Sequence, residues 1–244
     1  VAVLTNGSAL QGDTAKHLAQ GASWVRISID AADRNTFAKS RNVKVEEFDK
    51  VMKNIDDFAG MKNDDCELGI NLIVTELNFH RVYDFIGLMK SKGANHVKVC
   101  GCVVSTDGHE NNVYHASYFD QVMSQINRAE DDLSCESFHV INKFHNLKDK
   151  FDKRYSWCPF INFLNVIAAD LCVYTCQDKA YTKTGFLGLI REQSLRELWQ
   201  SDEYKERLHG VNPSIICDHH CVQHEKNLAL LDYLTTDTRH LEFV

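Results

Sequence analysis

Cysteine is the residue type in this chain whose number and spacing could do chemistry. Nine cysteines occur among 244 residues, and five of them fall between Cys158 and Cys221. Within that stretch, Cys172 and Cys176 are separated by three residues, as are Cys217 and Cys221. Clustered thiols form disulfides in secreted proteins and bind metals elsewhere. Because the start VAVLTNG lacks secretory features, a metal or cluster site is the better interpretation.

The amino-acid composition indicates which kinds of molecule this protein binds. The net charge of -7, with no long run of Lys or Arg, argues against a surface that binds nucleic acid or anionic membranes through bulk charge. No apolar stretch approaches the roughly 20 residues of a membrane span. The sequence therefore predicts a cytoplasmic protein whose partners are small molecules or peptides.

The first 130 residues alternate short apolar runs with amphipathic stretches four times. That alternation predicts parallel βα units, and strands that are apolar on both faces suit a sheet covered on both sides. The predicted strands cover 1–5, 24–29, 67–74 and 96–103, and the predicted helices cover 13–20, 44–59, 79–92 and 116–131.

Four βα units are too few to close a barrel of their own, so the sheet is either open or completed by strands absent from this sequence, and we prefer the second. The predicted fold is α/β, an open, partial parallel βα barrel over 1–132. The first strand starts at residue 1, which predicts that the chain is a piece of a longer protein and that this strand is an exposed edge able to self-associate. A polar bridge follows at 133–157. A smaller cysteine-rich domain is predicted over 158–244, with a hairpin that turns at Ala169 and Asp170 and a helix over 194–208.

Three segments of the first domain carry a family resemblance. They are TNG (5–7), VRISIDAADRNTFAKSRN (25–42) and NLIVTELN (71–78), each at the end of a predicted strand. In this order they resemble strands three to six of the partial barrel of radical S-adenosylmethionine enzymes. Each segment alone is also compatible with ordinary turn and helix-capping chemistry.

The C-terminal segments resemble the auxiliary-cluster domain called SPASM, or its shorter Twitch form. CPFINFLNVIAADLCVYTCQD, GLIREQSLRELWQSDEY and CDHHC follow one another as in that domain. Leu171 and Leu189 depart from its pattern, which has Gly and Asn there, and three residues rather than two separate the last cysteine pair. The matching positions are Cys158, Asp170, Cys176, Gly188, Ser194, Leu195, Trp199 and Ser201.

The catalytic cysteine motif CxxxCxxC of that family is absent from this sequence. The resemblance therefore implies part of a radical oxidoreductase or modifying enzyme that, as given, does not cleave S-adenosyl-L-methionine. The intact parent would bind that cofactor and a second 4Fe-4S cluster, and would take electrons from flavodoxin or ferredoxin. Its substrate would be a sugar, a cyclitol or a peptide.

The resemblance implies an auxiliary 4Fe-4S cluster on Cys158, Cys176, Cys217 and Cys221. Cys172 competes for a place, but an extended 172–176 would separate its Cα from that of Cys176 by roughly 13 Å. Zinc on the same four thiolates, or with His220 or His224 replacing a cysteine, remains open. A non-catalytic zinc- or iron-sulfur-binding scaffold is accordingly the alternative function.

The same family positions imply a cofactor side in the first domain. Ser28 and Asp30 resemble residues that contact the ribose and methionine of the cofactor, and Asn71 belongs to the next strand, which leads into Thr75 and Asn78. Helix capping is the alternative role of Ser28 and Asp30.

Two further groups of residues have a chemical and a structural interpretation. Cys102 could give a hydrogen atom to a substrate radical, as thiols do in some epimerases of the family. The favoured interpretation is that Cys100 and Cys102 are small buried apolar residues. His219, His220 and His224 are expected at a solvated helix start beside the metal loop, where they could hydrogen-bond sulfur.

Overall fold

The computed structural model describes residues 1–144, 147 and 151–236. The chain divides into two compact units. The sheet unit comprises Val1–Val103 and Asn112–Leu147, and the cysteine unit comprises Val104–Asn111 and Lys148–Val244. The smaller domain predicted over 158–244 lies inside the cysteine unit.

The sheet unit contains a five-stranded sheet in which every neighbouring pair is parallel and the strands follow sequence order. Four of the strands were predicted. The fifth lies within the stretch predicted as a polar bridge, because its residues HVINK are exposed or half-buried and do not form an apolar run. The strands are β1 (Ala2–Thr5), β2 (Trp24–Ser28), β3 (Glu67–Val74), β4 (His96–Gly101) and β5 (His139–Lys143).

Helices connect these strands. The four predicted helices are present, although the third opens with a short 3-10 turn at Phe79–Arg81. Two helices were not predicted, the nine-residue helix Gly108–Ala116 after β4 and the eight-residue helix Arg34–Arg41 after β2. Asp33 caps the helix after β2 by accepting the backbone N–H groups of Asn35 and Thr36. The helices are α1 (Gly12–Gly21), α2 (Arg34–Arg41), α3 (Glu46–Met61), α4 (Val82–Ser91), α5 (Gly108–Ala116) and α6 (Phe119–Leu133).

The core of the sheet unit lies on the central strands. Their buried side chains share one face of the sheet, which α3 and α4 cover with the buried Phe58 and Phe85. The prediction that both faces are covered was wrong, because Arg26, Asn71 and Lys98 on the opposite face are only half-buried. Burying each such side chain contributes about 1.5–3 kcal/mol. By contrast β1, predicted as buried, alternates exposed and half-buried residues, and Leu4 is 68% exposed. The strand residues in the core are Val25, Ile27, Leu68, Ile70, Leu72, Val74, Val97 and Val99.

The cysteine unit contains the predicted hairpin. Strands β6 (Val166–Ile167) and β7 (Cys172–Tyr174) pair antiparallel, and β8 (Phe186–Leu189) pairs with β7 on its other side. Leu171, at the end of the turn, adopts the left-handed conformation with φ of 63°. This is the position where the SPASM pattern has Gly, the residue that tolerates positive φ.

Four helices follow in this unit: α7 (Leu195–Gln200), α8 (Asp202–His209), α9 (Pro213–Ile216) and α10 (His224–Thr235). The single helix predicted over 194–208 was wrong, because Ser201 is extended (ψ 147°) and its hydroxyl caps α8 by accepting the N–H of Tyr204. Leu198 packs against Gly188 so closely that a Cβ there would lie 2.4 Å from Cδ1 of Leu198. The small core therefore depends on glycine at 188.

None of the helices in the described ranges has both the length and the apolar composition that crossing a bilayer requires.

Candidate metal centre

The four cysteines that the sequence predicts as ligands line one cavity in the cysteine unit. The cavity measures about 480 Å³, counting the solvent at its mouth. We call it the cysteine cavity, and we call Cys158, Cys176, Cys217 and Cys221 the four ligand cysteines. The structure thus brings together thiols from segments as far apart as residues 158 and 221.

Short, capped segments position these thiols. Cys158 directly precedes a 3-10 turn at Pro159–Asn162, and Cys176 directly precedes another at Gln177–Lys179. Cys217 ends α9, donating its backbone N–H to the Pro213 carbonyl at 3.1 Å, and the Cys221 carbonyl accepts the N–H of His224 at the start of α10. Each thiol is therefore attached to backbone whose hydrogen bonds are satisfied locally.

Cys172, the competing ligand, lies on β7 opposite Leu189 in the β8 register. Its backbone N–H donates to Asp170 Oδ1 at 2.9 Å, which secures the hairpin turn. Cys172 is not among the residues that line the cysteine cavity, all of which lie in the described ranges.

Burial favours the protonated thiol at three of the four ligand cysteines. It raises the pKa of Cys217 to about 12 and that of Cys221 to about 11, and it also raises the pKa of Cys176. A metal that binds thiolates must therefore displace protons from these groups, so metal binding and proton release are coupled here.

Two buried lysines line the same cavity, Lys153 at 6% and Lys179 at 7% exposure. Lys153 Nζ donates to the carbonyl oxygens of Phe151 (3.0 Å) and His219 (3.3 Å), and within the described ranges it has no carboxylate within 4.0 Å. Lys179 Nζ lies 3.7 Å from Asp218 Oδ1. A buried ammonium group needs a counter-charge, and an anionic centre in this cavity would supply it.

The lysines also act on the thiols. Against the dominant effect of burial, the charge of Lys179 lowers the pKa of Cys217, and that of Lys153 lowers the pKa of Cys221. Each lysine therefore favours the thiolate form of one ligand cysteine. The cavity provides four thiols and two cations, a set that fits an anionic cluster held by thiolates.

The buried side-chain amide of Asn227 contacts the thiol of Cys158. Asn227 on α10 has no solvent exposure, and its Oδ1 accepts the backbone N–H of Phe160 at 2.9 Å. That bond orients the amide so that its Nδ2 donates to Cys158 Sγ at 3.2 Å. Sequence reasoning missed Asn227, Lys153 and Lys179, because no local pattern marks a polar residue that a distant segment buries.

The histidines differ from one another. His219 is 6% exposed, so the expectation of a solvated position is wrong for it. His220 packs its ring edge against Phe151 at 4.4 Å between centroids. His224 stacks on Tyr155, whose hydroxyl lies 3.1 Å from His224 Nδ1.

The spacing of the sulfur atoms bears on the kind of centre. Among the described residues, the group of three whose ligand atoms all lie within 4.8 Å of one another is Asp178, His219 and Cys221. No three of the four described cysteine sulfurs lie that close together. One zinc ion with bonds of about 2.3 Å would hold its sulfurs roughly 3.8 Å apart. In this structure the four sulfurs are therefore not gathered as closely as one tetrahedral zinc ion would hold them.

In the sheet unit, Arg41 ties together two of the residues predicted on the cofactor side. Its Nη2 donates to the carbonyl (3.2 Å) and hydroxyl (3.3 Å) of Ser28 and to Asp30 Oδ2 at 2.5 Å. Asp30 Oδ1 accepts the N–H of Ile73 at 2.9 Å, which links β2 to β3. The capping role considered for Ser28 and Asp30 is wrong, since Asp33 caps the helix.

Burial is also the main influence on the carboxyl of Asp30. It raises the pKa of Asp30, against the N–H of Ile73 and the charge of Arg41, which lower it. Arg41 was missed as a site residue, although it lies in the segment 25–42 that carried the resemblance.

Asn71 lies beside Ser28 in the β2–β3 register, and its Oδ1 accepts from Cys100 Sγ at 3.7 Å. Cys100 and Cys102 are half-buried. Burial raises the pKa of Cys102, and the nearby charge of Asp30 raises it further. Cys102 follows β4, so it lies at the carboxyl ends of the strands, where open α/β sheets bind ligands.

Thr75 and Asn78 form a local turn. The Thr75 N–H donates to Asn78 Oδ1, and Asn78 Nδ2 donates to the carbonyls of Asp30 and Ile73, each at 2.8 Å. These two residues hold the strand ends in place.

Solved structures share this architecture. The structure of polyhistidine-tagged anSMEcpe with bound AdoMet superposes with a TM-score of 0.55 and 15% identity. The match covers 96% of this chain and 68% of the anSMEcpe chain. For native anSMEcpe with bound AdoMet and the Kp18Cys peptide, the match covers 96% of this chain and 73% of the anSMEcpe chain, with a TM-score of 0.54 and 14% identity. For Streptococcus suis SuiB bound to the precursor peptide SuiA, the match covers 90% of this chain and 54% of the SuiB chain, with a TM-score of 0.58 and 14% identity.

The chain has the fold of the radical S-adenosylmethionine partial barrel. This confirms the predicted α/β class and its open set of parallel βα units. The chain spans about half the length of SuiB. No family model matches the sequence, and no curated protein sequence does.

Proposed function

We propose that this chain is part of a radical S-adenosylmethionine enzyme that modifies a peptide, with an auxiliary 4Fe-4S cluster on the four ligand cysteines. The observation that carries the proposal is the cysteine cavity, where four thiols from separate segments meet two buried lysines. The shared fold with AdoMet-bound anSMEcpe and with SuiB supports the assignment to this class of enzyme.

When bound, the auxiliary cluster would accept an electron or bind substrate. The residues of this chain would hold it in a defined electrostatic environment. Lys153 and Lys179 offset the negative charge of a thiolate-bound centre, and Asn227 donates a hydrogen bond to Cys158 Sγ. Ile161 and Val211, both buried, line the same cavity and help to exclude water from it.

On the cofactor side, we propose that Ser28, Asp30 and Asn71 contact S-adenosyl-L-methionine in the intact parent. Arg41 would hold Ser28 and Asp30 for that contact. Cys102 is our candidate to give a hydrogen atom to a substrate carbon radical. That transfer leaves a thiyl radical on Cys102. One electron from the parent's reductant, a flavodoxin or ferredoxin, and one proton from solvent would restore the thiol.

A peptide is the substrate class that the comparisons favour, since SuiB is bound to its precursor peptide SuiA and anSMEcpe to a Kp18Cys peptide. All nine cysteines, which lie in the described ranges, are free thiols, as in proteins of the reducing cytoplasm. Within those ranges β1 pairs with β2 alone, so we propose that this edge supports self-association.

The proposal is tested by anaerobic reconstitution of the chain with iron and sulfide. We expect about four iron atoms per chain, with broad charge-transfer absorption in the visible range. Cys176→Ser and Cys217→Ser should lower the iron content and the melting temperature together, because losing a ligand releases the metal and loosens the fold.

The matched control replaces cysteines outside the cavity. Cys172→Ser, Cys66→Ser and Cys135→Ser should keep the iron content of the unaltered chain. A colourless protein that binds zinc stoichiometrically under the same conditions would contradict the cluster and favour the metal-binding scaffold.

A further inference from the structure

Three ligand types of different chemistry meet at one side of the cysteine cavity. Asp178, His219 and Cys221 bring a carboxylate oxygen, an imidazole nitrogen and a sulfur within 4.8 Å of one another. His219 Nε2 lies 3.6 Å from Asp178 Oδ2, too far for a hydrogen bond. The two groups form an ion pair only when His219 is protonated, and hydrogen bonding does not account for the arrangement.

His219 supplies a second, independent observation. Its side chain is 8% exposed, and neither ring nitrogen has a hydrogen-bond partner within the described part of the chain. Burying an imidazole without a partner is costly, and such groups are rare in folded proteins. His219 also lines the cysteine cavity, so a bound ion there could satisfy a ring nitrogen.

We propose that Asp178, His219 and Cys221 bind a single zinc-type divalent ion in a site that overlaps the four-cysteine site through Cys221. Zinc takes carboxylate, imidazole and thiolate ligands at about 2.0–2.3 Å, which places tetrahedral ligands roughly 3.3–3.8 Å apart. The 3.6 Å between His219 and Asp178 already lies in that range. Three protein ligands leave the fourth position to water.

The backbone holds these ligands in place. Asp178 lies in the 3-10 turn at Gln177–Lys179, and the carbonyl of His219 accepts Lys153 Nζ at 3.3 Å. The Asp178 carboxylate and the Cys221 thiolate together cancel the double charge of the ion. Lys153 and Lys179 oppose a cation in this cavity, so zinc binding requires both anionic ligands.

Shared use of Cys221 makes the two centres mutually exclusive. This part of the inference rests on the proposed function, because it requires that the four ligand cysteines hold a cluster. The lysines favour the anionic cluster, so we expect the zinc site to fill in chains that have lost or never received iron.

The test uses the full chain prepared without iron and titrated with Zn²⁺, with Co²⁺ as a spectroscopic probe. Zinc affinity is measured by competition with a chelator, and metal content by elemental analysis. We expect His219→Ala and Asp178→Asn to weaken zinc binding by more than the about 10- to 100-fold that loss of an outer-shell contact costs. Iron content after anaerobic reconstitution should stay at that of the unaltered chain.

Two cysteine variants complete the design. Cys158→Ser should abolish iron incorporation and keep zinc binding, whereas Cys221→Ser should abolish both. His220→Ala is the matched control and should change neither. Circular dichroism of each variant confirms that it is folded.

Equal zinc affinity in His219→Ala and His220→Ala would overturn the proposal. So would a loss of zinc in Cys158→Ser as large as in His219→Ala, because zinc would then use the four ligand cysteines. If the unaltered chain takes up no iron while the zinc pattern holds, the proposed function fails and this site stands. If iron uptake and its loss in Cys158→Ser and Cys221→Ser are as expected but zinc does not bind, the zinc site fails and the proposed function stands.

Discussion

The amide of Asn227 donates to the sulfur of Cys158 across 3.2 Å, although the two residues are 69 positions apart in the chain. The backbone N–H of Phe160 fixes the orientation of that amide by donating to its oxygen. A hydrogen bond to sulfur stabilises the thiolate and orients it for a metal. Helix α10 thereby hydrogen-bonds one of the four ligand cysteines without supplying a ligand itself.

We expect Asn227→Asp to weaken iron retention by about 10- to 100-fold, the cost typical of losing a contact to a metal ligand. The carboxylate keeps the acceptor for Phe160 but places an anion where the N–H group met sulfur. Iron release to a chelator measures the effect. The exposed Asn63→Asp, which makes the same change in charge, is the control, and equal release rates in the two variants would refute the role of Asn227.

Lys153→Met and Lys179→Met should each shift the midpoint potential of the reconstituted centre to more negative values. A neutral side chain no longer stabilises the more negatively charged reduced state, an effect on the order of tens of millivolts. Redox titration followed by visible absorption measures it. Lys205→Met, which removes an exposed lysine on α8, is the matched control; a shift as large in this variant would indicate an effect of net charge alone.

Leu171→Gly should stabilise the chain by about 1 kcal/mol. Leu171 has φ of 63°, a conformation that costs an L-residue roughly 1–2 kcal/mol, and its side chain is 43% exposed, so little packing is lost. Denaturant unfolding of the metal-free protein measures the free energy of unfolding. Leu189→Gly, in strand β8, should instead destabilise by about 0.5–1 kcal/mol; destabilisation by both would contradict the prediction.

Asp30 and Asp33 should affect the pH dependence of stability in opposite directions. Burial raises the pKa of Asp30 above its ordinary 3.8, so its folded form holds the proton more tightly. Its contribution to stability is therefore present below pH 3.8 and is lost as the pH rises through the folded pKa. The pKa of Asp33 is lowered by hydrogen bonds from the N–H and hydroxyl groups of Thr36 and by the charge of nearby Arg81. The contribution of Asp33 to stability is therefore present above pH 3.8 and is lost as the pH falls through the folded pKa.

Unfolding free energies of the unaltered chain, Asp30→Asn and Asp33→Asn between about pH 3 and pH 7 measure these contributions. Relative to the unaltered chain, Asp30→Asn should gain stability as the pH rises, and Asp33→Asn should lose it. The same sign in both variants would show that the pKa directions are wrong.

The chain as given should release no 5'-deoxyadenosine from S-adenosyl-L-methionine after anaerobic reconstitution and reduction. Its sequence contains no CxxxCxxC motif, so the ligands of a catalytic cluster are missing. Chromatography of the quenched reaction measures the product. The unaltered chain with and without reductant provides the control, and reductant-dependent product would contradict the prediction.

Local sequence patterns sufficed for the central strands of the sheet and for the β6–β7 hairpin. Leu68, Ile70 and Val97 belong to short runs rich in apolar residues that are visible without a structure, and the structure buries all three on one face of the sheet. The clustering of cysteines after residue 158 likewise indicated a metal site, and the family resemblance singled out Cys158, Cys176, Cys217 and Cys221, which line one cavity in the structure.

The tertiary structure decided which polar residues surround those thiols. Lys153, Asn227 and His219 lie in segments whose local patterns are those of exposed residues, and they are buried because distant parts of the chain cover them. The same reason accounts for β5, whose half-exposed residues form a strand through pairing with β4. The helix break at Ser201 has a local cause instead, because the Ser201 hydroxyl caps α8. Burial and long-range pairing depend on what packs against a residue, and no local periodicity contains that information.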